Sequence, residues 1–195
     1  MLKKIILAAV VAATASFAQI NVGVRAGVDM NTFWGDDTED ASSGIGFQAG
    51  VGAKMSLPML PITVAPEVVI DMRNFDLDKN TVLTEWALDI PVLVRFSLLP
   101  ILYLEAGPEF AFNLSTTAED DDGNEISEKT LETFLPDFNT FEFDLVFGVG
   151  TGIVPLVDID FRVVLGMTNF FDDPKLGDPL DIANMQFVLG ATYWF

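Results

Sequence analysis

No cysteine and no histidine occur in this chain, and only 10 lysines and arginines stand against 29 aspartates and glutamates. Without cysteine there can be neither disulfides nor thiolate metal sites. Without histidine, the base that most hydrolases and acyltransferases use to take a proton near neutral pH is missing. The shortage of positive charge, a formal −19 over 195 residues, removes the clustered basic groups that phosphate binding needs. Nucleic acid is therefore excluded as a partner. Long hydrophobic runs are also scarce. The N-terminal one, residues 5–11 extended by small residues, falls short of the roughly 20 residues a spanning helix requires.

What is present is a chain that is half apolar and strongly acidic at once. Those two properties conflict in a water-soluble helical protein. They agree if the apolar residues form a band facing lipid while the acids occupy loops and an interior. The first 18 residues carry Lys3 and Lys4, then the apolar run, then a small-x-small site at Ser16-Phe17-Ala18. This is the pattern of a cleaved secretory signal peptide, leaving residues 19–195 as one domain.

Eight stretches of that domain alternate apolar and polar residues with the period of a β-strand: 20–30, 45–57, 62–72, 82–98, 102–114, 141–153, 157–167 and 184–195. None of the eight apolar faces contains a charged residue. A Lys or Arg on the lipid face of a membrane barrel costs about 2 to 4 kcal/mol near the midplane, whereas in water it costs nothing, so the pattern is one that lipid selects. Each stretch also reaches the about 9 to 11 residues a tilted strand needs to cross a bilayer. Closing an even number of strands on themselves satisfies the backbone where hydrocarbon cannot. The expected fold is all-β, an eight-stranded antiparallel up-and-down transmembrane barrel.

The last twelve residues, NMQFVLGATYWF, carry the clearest alternation. With Phe187, Leu189, Tyr193 and a terminal Phe195 on one face, this ending resembles the C-terminal signal by which outer-membrane barrels are recognised by the barrel-assembly machinery. Short connections join the second and third, fourth and fifth, and sixth and seventh stretches; the others, 31–43, 74–80, 115–139 and 169–183, are longer and mostly polar. In membrane barrels short turns are periplasmic and long loops extracellular, which places both termini in the periplasm. Three strand prolines, Pro66, Pro91 and Pro108, lack the amide a ladder needs. A bulge or weakened pairing is expected where the fourth stretch meets the fifth.

The polar faces carry Arg25, Lys54, Glu67, Asp71, Arg73, Glu85, Asp89, Arg95, Glu105, Glu109, Asp158, Asp160 and Arg162. They are expected to form an inward ion-pair network, with the surplus of acids near the two mouths where water reaches it. Glu105 with Glu109, or Asp158 with Asp160, could in principle do acid–base work, because like charges at close range raise one pKa. The structural reading is stronger, since the arginines on the same faces are natural partners. An eight-stranded barrel has an interior about wide enough for side chains to fill, so a packed lumen is preferred to a conduit; any path that does conduct should favour cations. No motif calls for a cofactor or a metal. The run Asp120-Asp121-Asp122-Gly123-Asn124 invites a calcium reading, but counting Gly123 as the sixth position of an EF-hand loop puts Ala118 at the first and Lys129 or Thr130 near the last, which fails as a ligand set. Loose divalent bridging to lipopolysaccharide phosphates stays open. Ile126, Leu131, Phe134 and Leu135 could form one face of a short helix on the rim or a contact for a protein partner.

Trp86, Phe96, Phe110, Phe112, Phe141, Phe143, Tyr193 and Phe195 fall on outward faces, many near strand ends, as interfacial girdles do. Phe33, Trp34, Phe170 and Phe171 begin outer loops and could cap the girdle or form an exposed patch.

The segments LDIPVLVRF (88–96), YLEAGPEFAF (103–112), FDLVFGVGTGI and VDIDFRVVLGMTNF (157–170) resemble strands of PorT-like outer-membrane β-barrel proteins. The resemblance implies an eight-stranded barrel and, for the family's namesake, a part in secretion across the outer membrane. The reading is an integral outer-membrane barrel surrounded by membrane lipids, acting as a non-catalytic structural or interaction component. Two alternatives stand beside it: a small transport or ligand-binding barrel, and a secreted soluble barrel of lipocalin type with its apolar faces turned inward.

Overall fold

Alternation at period two commits each stretch to a strand with one apolar and one polar face, and hydrocarbon leaves closure as the way to pair every backbone group. The computed structural model describes residues 19–34, 42–57, 60–78, 81–120, 140–168 and 183–195. Its strands are β1 (Gln19–Trp34), β2 (Ser42–Ser56), β3 (Ile62–Asp78), β4 (Thr81–Leu99), β5 (Leu102–Asp120), β6 (Phe141–Val154), β7 (Val157–Gly166) and β8 (Ala183–Trp194). They form a closed barrel in sequence order. Each neighbouring pair is antiparallel, and β8 returns to β1 in a register running from Gly23 opposite Trp194 to Trp34 opposite Ala183. The segment 1–18 expected as a signal peptide, most of the acidic loop with its four apolar residues, and Phe170 and Phe171 lie outside the described residues.

Ile20, Val22, Val24, Val28, Phe47, Val51, Val68, Val94, Phe96, Phe147, Phe161, Leu189 and Tyr193 all face outward and exposed, whereas Arg25, Asp71, Arg73, Glu85, Arg95 and Arg162 are buried inside. The lipocalin-type alternative requires the reverse and is overturned. The outer surface carries the aromatic residues in groups. Phe110 stacks on Phe141 and meets Phe143, and Phe112 meets Phe141, at the end bearing the long loops. Tyr193 and Phe195 pair edge to face at the other end.

The strands run further toward the long-loop end than the apolar faces suggest. The connection expected over 74–80 reduces to two residues, because Asp78 already stands opposite Thr81. The polar residues there find partners within the sheet: the Asn74 amide donates to the carbonyl of Ile45, and the Thr84 hydroxyl donates to Asn74. Phe75 and Leu83, paired across β3 and β4, turn inward and are fully buried. β5 likewise continues to Asp120, past a bulge at which Trp86 and Ala87 face Ser115 and Asn113. The extra residue, Leu114, inverts the parity beyond it, so that Thr116 joins Asn113 on the lumen side and accepts its hydrogen bond.

The proline expectation resolves into interruptions without slippage. Between β4 and β5 the ladder passes from Pro91–Glu109 to Val94–Ala106 in unchanged register, skipping Pro108. Between β3 and β4 it passes from Pro66–Val92 to Val69–Asp89, skipping Pro91, and between β2 and β3 from Gly52–Glu67 to Met55–Val64, skipping Pro66. In an antiparallel sheet a residue's N–H and C=O point to the same neighbour, so each proline breaks pairing on one side and keeps it on the other. The two register shifts of this pair sit at Trp86–Ala87 and Ser97–Leu99, away from the prolines. The amide of Val92, which faces Pro108, should exchange faster than that of Leu88, which faces β5 in an unbroken stretch, as hydrogen–deuterium exchange in a bilayer would report; equal protection would contradict the interruption.

Candidate functional site: the charged lumen

Inward positions of all eight strands converge on a lumen divided into two halves. In the half near the short turns, three guanidinium groups act as hubs. Arg162 donates to Glu105 at 2.7 Å and through both terminal nitrogens to Glu67 at 2.8 Å, with Asp160 at 2.9 Å. Arg25 grips both oxygens of Asp160, at 2.7 and 2.8 Å, and donates to Gln48. Arg95 reaches Glu105 at 2.9 Å, Asp158 at 3.0 Å and Glu67 at 3.4 Å. The indole of Trp194 donates to Asp158 at 2.8 Å, and Lys54 lies 3.5 Å from the same carboxylate and over the Trp194 ring. Four cations meet four carboxylates here. A guanidinium presents five donors in a planar fork, so one arginine can answer two or three carboxylates at once.

The space for these long side chains comes from glycines on the same face. Tyr103 lies over Gly150, Trp194 over Gly23, Glu105 over Gly148 and the Arg25 guanidinium over Gly190. These four inward glycines therefore do not open a channel, because a neighbour's side chain lies over each, while Gly44, Gly50 and Gly107 are closed by the backbone of the adjoining strand. Across the lumen, Ala65, Leu93, Val146, Val164 and Val188 form a buried apolar cluster. Along β4, β6 and β8 it falls between the two charged halves: Leu93 between Asp89 and Arg95, Val146 between Asp144 and Gly148, Val188 between Gln186 and Thr192. A cavity of about 190 Å³ opens at the short-turn mouth, with Lys54, Arg95, Tyr103 and Asp158 among its lining residues.

The half near the long loops is organised differently. Arg73 is fully buried and pairs with Asp71 at 3.0 Å, Asp89 at 2.9 Å, and Glu85 and Glu142 at 3.3 Å. Gln186 supports Asp71 at 3.0 Å, and Asn113 supports Glu85 at 3.0 Å. Asp29, Glu109 and Asp144 share this half and are also buried. The surplus of acids expected at both mouths thus lies inside one half, away from water. The reason is the length of the sheet: inward positions at this level remain enclosed by strands that continue past them to Asp78 and Asp120.

All thirteen charged residues anticipated from the sequence face this lumen; Asp29, Glu142 and Asp144 join them, as do the neutral partners Gln48, Asn113, Gln186 and Trp194. Strand parity marks these added residues as inward, and nothing in the sequence marks them as partners. The two carboxylate pairs weighed for acid–base work separate: Glu105 belongs to Arg95 and Arg162, whereas Glu109 sits with the other acids of the long-loop half. Asp158 and Asp160 are taken by different arginines.

A family model described as an outer membrane protein beta-barrel domain matches residues 15–172. No curated protein matches the chain in sequence. Among solved structures, the chain is similar to neisserial surface protein A, with a TM-score of 0.54 at 12% identity, covering 89% of this chain and 97% of that one. It is also similar to the attachment invasion locus protein Ail of Yersinia pestis in complex with the heparin analogue sucrose octasulfate, with a TM-score of 0.51 at 13% identity, covering 91% and 99%. At such identities the likeness concerns the fold.

Removing one partner from a buried network leaves the others unanswered, which costs about 3 to 5 kcal/mol. Glu67→Gln, which withdraws charge from Arg25, Arg95 and Arg162 together, should lower unfolding free energy by about that amount. Lys54→Met, whose partner Asp158 keeps Arg95 and Trp194 and whose own side chain is 26% exposed, should cost no more than about 1 kcal/mol. Urea titration in lipid, read by gel mobility before boiling, measures both.

Proposed function

Given that the chain belongs to the outer-membrane β-barrel domain family of bacteria, we propose that it serves there as a non-catalytic structural or interaction component, exported by its leader 1–18 and meeting its partner through the acidic long-loop end. The observation that carries this reading is the filled lumen: its arginines are committed to carboxylates, Gly23, Gly148, Gly150 and Gly190 lie under neighbouring side chains, and an apolar layer lies between the halves. In the short-turn half every carboxylate is so engaged, which leaves no free acid–base pair there, and the apolar layer closes the lumen to a continuous water-filled path. The PorT-like segments on β4, β5, β6 and β7 extend the proposal to a role associated with protein secretion.

The long-loop end is where such a partner has room to act, because β3, β4 and β5 carry the sheet beyond the apolar band. A photo-crosslinking residue placed within 121–139 should capture one recurrent envelope protein in cells, and deleting that segment should abolish capture while the barrel keeps its heat-dependent gel mobility. Planar-bilayer recordings of the intact protein should show no sustained conductance. Stepwise channel currents with no crosslinked partner would instead favour the small transport barrel.

Assembly is proposed to depend on the last strand. Phe195 projects outward, with its amide held by the carbonyl of Val22. Deleting Phe195 should leave folding in detergent unchanged and lower the amount assembled in cells. Equal membrane levels would remove the assembly role.

A further inference from the structure

The long-loop half of the lumen holds more negative charge than its cation answers. Asp29, Asp71, Glu85, Asp89, Glu109, Glu142 and Asp144 are each at most 6% exposed, and among the described residues Arg73 is the one buried cation beside them. Arg73 engages Asp71, Glu85, Asp89 and Glu142. Asp144 and Glu109 form no ion pair among the described residues, yet they stand directly opposite one another on β6 and β5. Side chains so placed have Cβ atoms about 4.5 to 5.5 Å apart.

These two residues also hold oxygens without partners. Both carboxylate oxygens of Asp144, which is fully buried, and Oε1 of Glu109 accept no hydrogen bond among the described residues. In the same half, Oδ2 of Asp29, Oδ1 of Asp71 and the amide oxygens of Asn31 and Asn184 are likewise unanswered. Every one of these atoms is an oxygen acceptor. Buried polar groups are nearly always paired, and a buried carboxylate without a partner is strongly unfavourable. What the half lacks is positive charge that binds oxygen.

We infer that Asp144 and Glu109 together bind one hard divalent cation, of the magnesium or calcium class, within the lumen. Such ions take carboxylate, amide and water oxygens, and magnesium in particular uses one or two carboxylates and keeps several waters. Among the described residues no three carboxylates converge as a ready coordination sphere, so Asp144 and Glu109 would supply two ligands and water the rest. Gly166, opposite Asp144 on β7, presents no side chain to compete. The ion's charge also offsets the acids around it: Asp71 on β3, Glu85 and Asp89 on β4 and Glu142 on β6, which otherwise share Arg73, and Asp29 on β1, which has no ion pair among the described residues. The site is distinct in sequence from the acidic run 120–122, whose carboxylates are a separate candidate for a divalent ion.

The test uses the protein folded into phosphatidylcholine nanodiscs, free of lipopolysaccharide, stripped with chelator and titrated calorimetrically with Mg²⁺ and with Ca²⁺ separately. One saturable site per chain is expected, in the range of about 10⁻⁴ to 10⁻³ M typical of extracellular calcium modules, and the metal should raise the temperature at which gel mobility shifts. Asp144→Asn and Glu109→Gln should each weaken binding by at least about ten-fold, since even outer-shell changes at metal sites cost that much. A variant with Asp120, Asp121 and Asp122 all changed to Asn should bind as the parent does. Loss of binding in that loop variant would overturn the inference by moving the ion to the loop. So would a stripped parent protein whose melting ignores both metals, a result that decides the matter even if a lumen variant fails to fold. Neutral variants that melt higher than a metal-indifferent parent would assign the charge balance to bound protons instead.

Discussion

Hydrocarbon offers no hydrogen bonds, and the return of β8 onto β1 answers that constraint. Every strand then has two neighbours, and the backbone satisfies itself around the ring. Closure at eight strands sets the second constraint, because the interior is only wide enough for side chains. From there the architecture has little freedom. Outward positions must be apolar, as Val24, Val51, Phe161 and Leu189 are; inward positions must fit one another in both shape and charge. The two prolines on the outer face and the one on the inner are tolerated because each spoils a ladder on one side while the adjoining strand still holds it on the other.

The lumen meets the demand for charge complementarity unevenly. Near the short turns, Arg25, Arg95 and Arg162 interlock with Glu67, Glu105, Asp158 and Asp160 so that each carboxylate answers at least one guanidinium. Lysine would not serve in these places, since a single ammonium cannot present donors to two strands in a fixed plane. Near the long loops, Arg73 performs the same bridging for four carboxylates, and the remainder is left over. Such an imbalance does not arise from packing needs alone, because neutral Gln or Asn would fill the same volume at lower electrostatic cost. It is the feature of this barrel that points beyond architecture.

Much of the barrel is legible in the order of its residues. Period two gives the faces, the absence of charge on one face gives the solvent, and the short connections locate the turns. What escapes is non-local. The segment Asn74 to Asp78 reads as loop because it is polar, yet its partners Thr84 and Ile45 lie on other strands and make it sheet. The parity change at Leu114 depends on a mismatch with Trp86 that no single strand displays. Parity also marks Arg73 and Arg95 alike as inward, without saying that one sits among acids and the other within a balanced network. That level follows from register and tilt, which are properties of pairs of strands. Hence alternation alone suggests surplus acids at the mouths, whereas they lie in one enclosed half.

The glycines make the same point in steric terms. Gly150 stands opposite Tyr103, Gly23 opposite Trp194 and Gly148 opposite Glu105, so three of the large inward side chains are laid over a cross-strand glycine. Read singly, an inward glycine suggests empty space; read across the pair, it is a slot. Arg25 shows what the slot accomplishes. Its guanidinium rests over Gly190, directly opposite Asp160 on β7, and from that position both Asp160 oxygens are within reach of its terminal nitrogens. A methyl group at Gly190 would occupy the ground on which the guanidinium lies. The ion pair therefore depends on the missing side chain as much as on the charges, and the electrostatics of this lumen are set by sterics first.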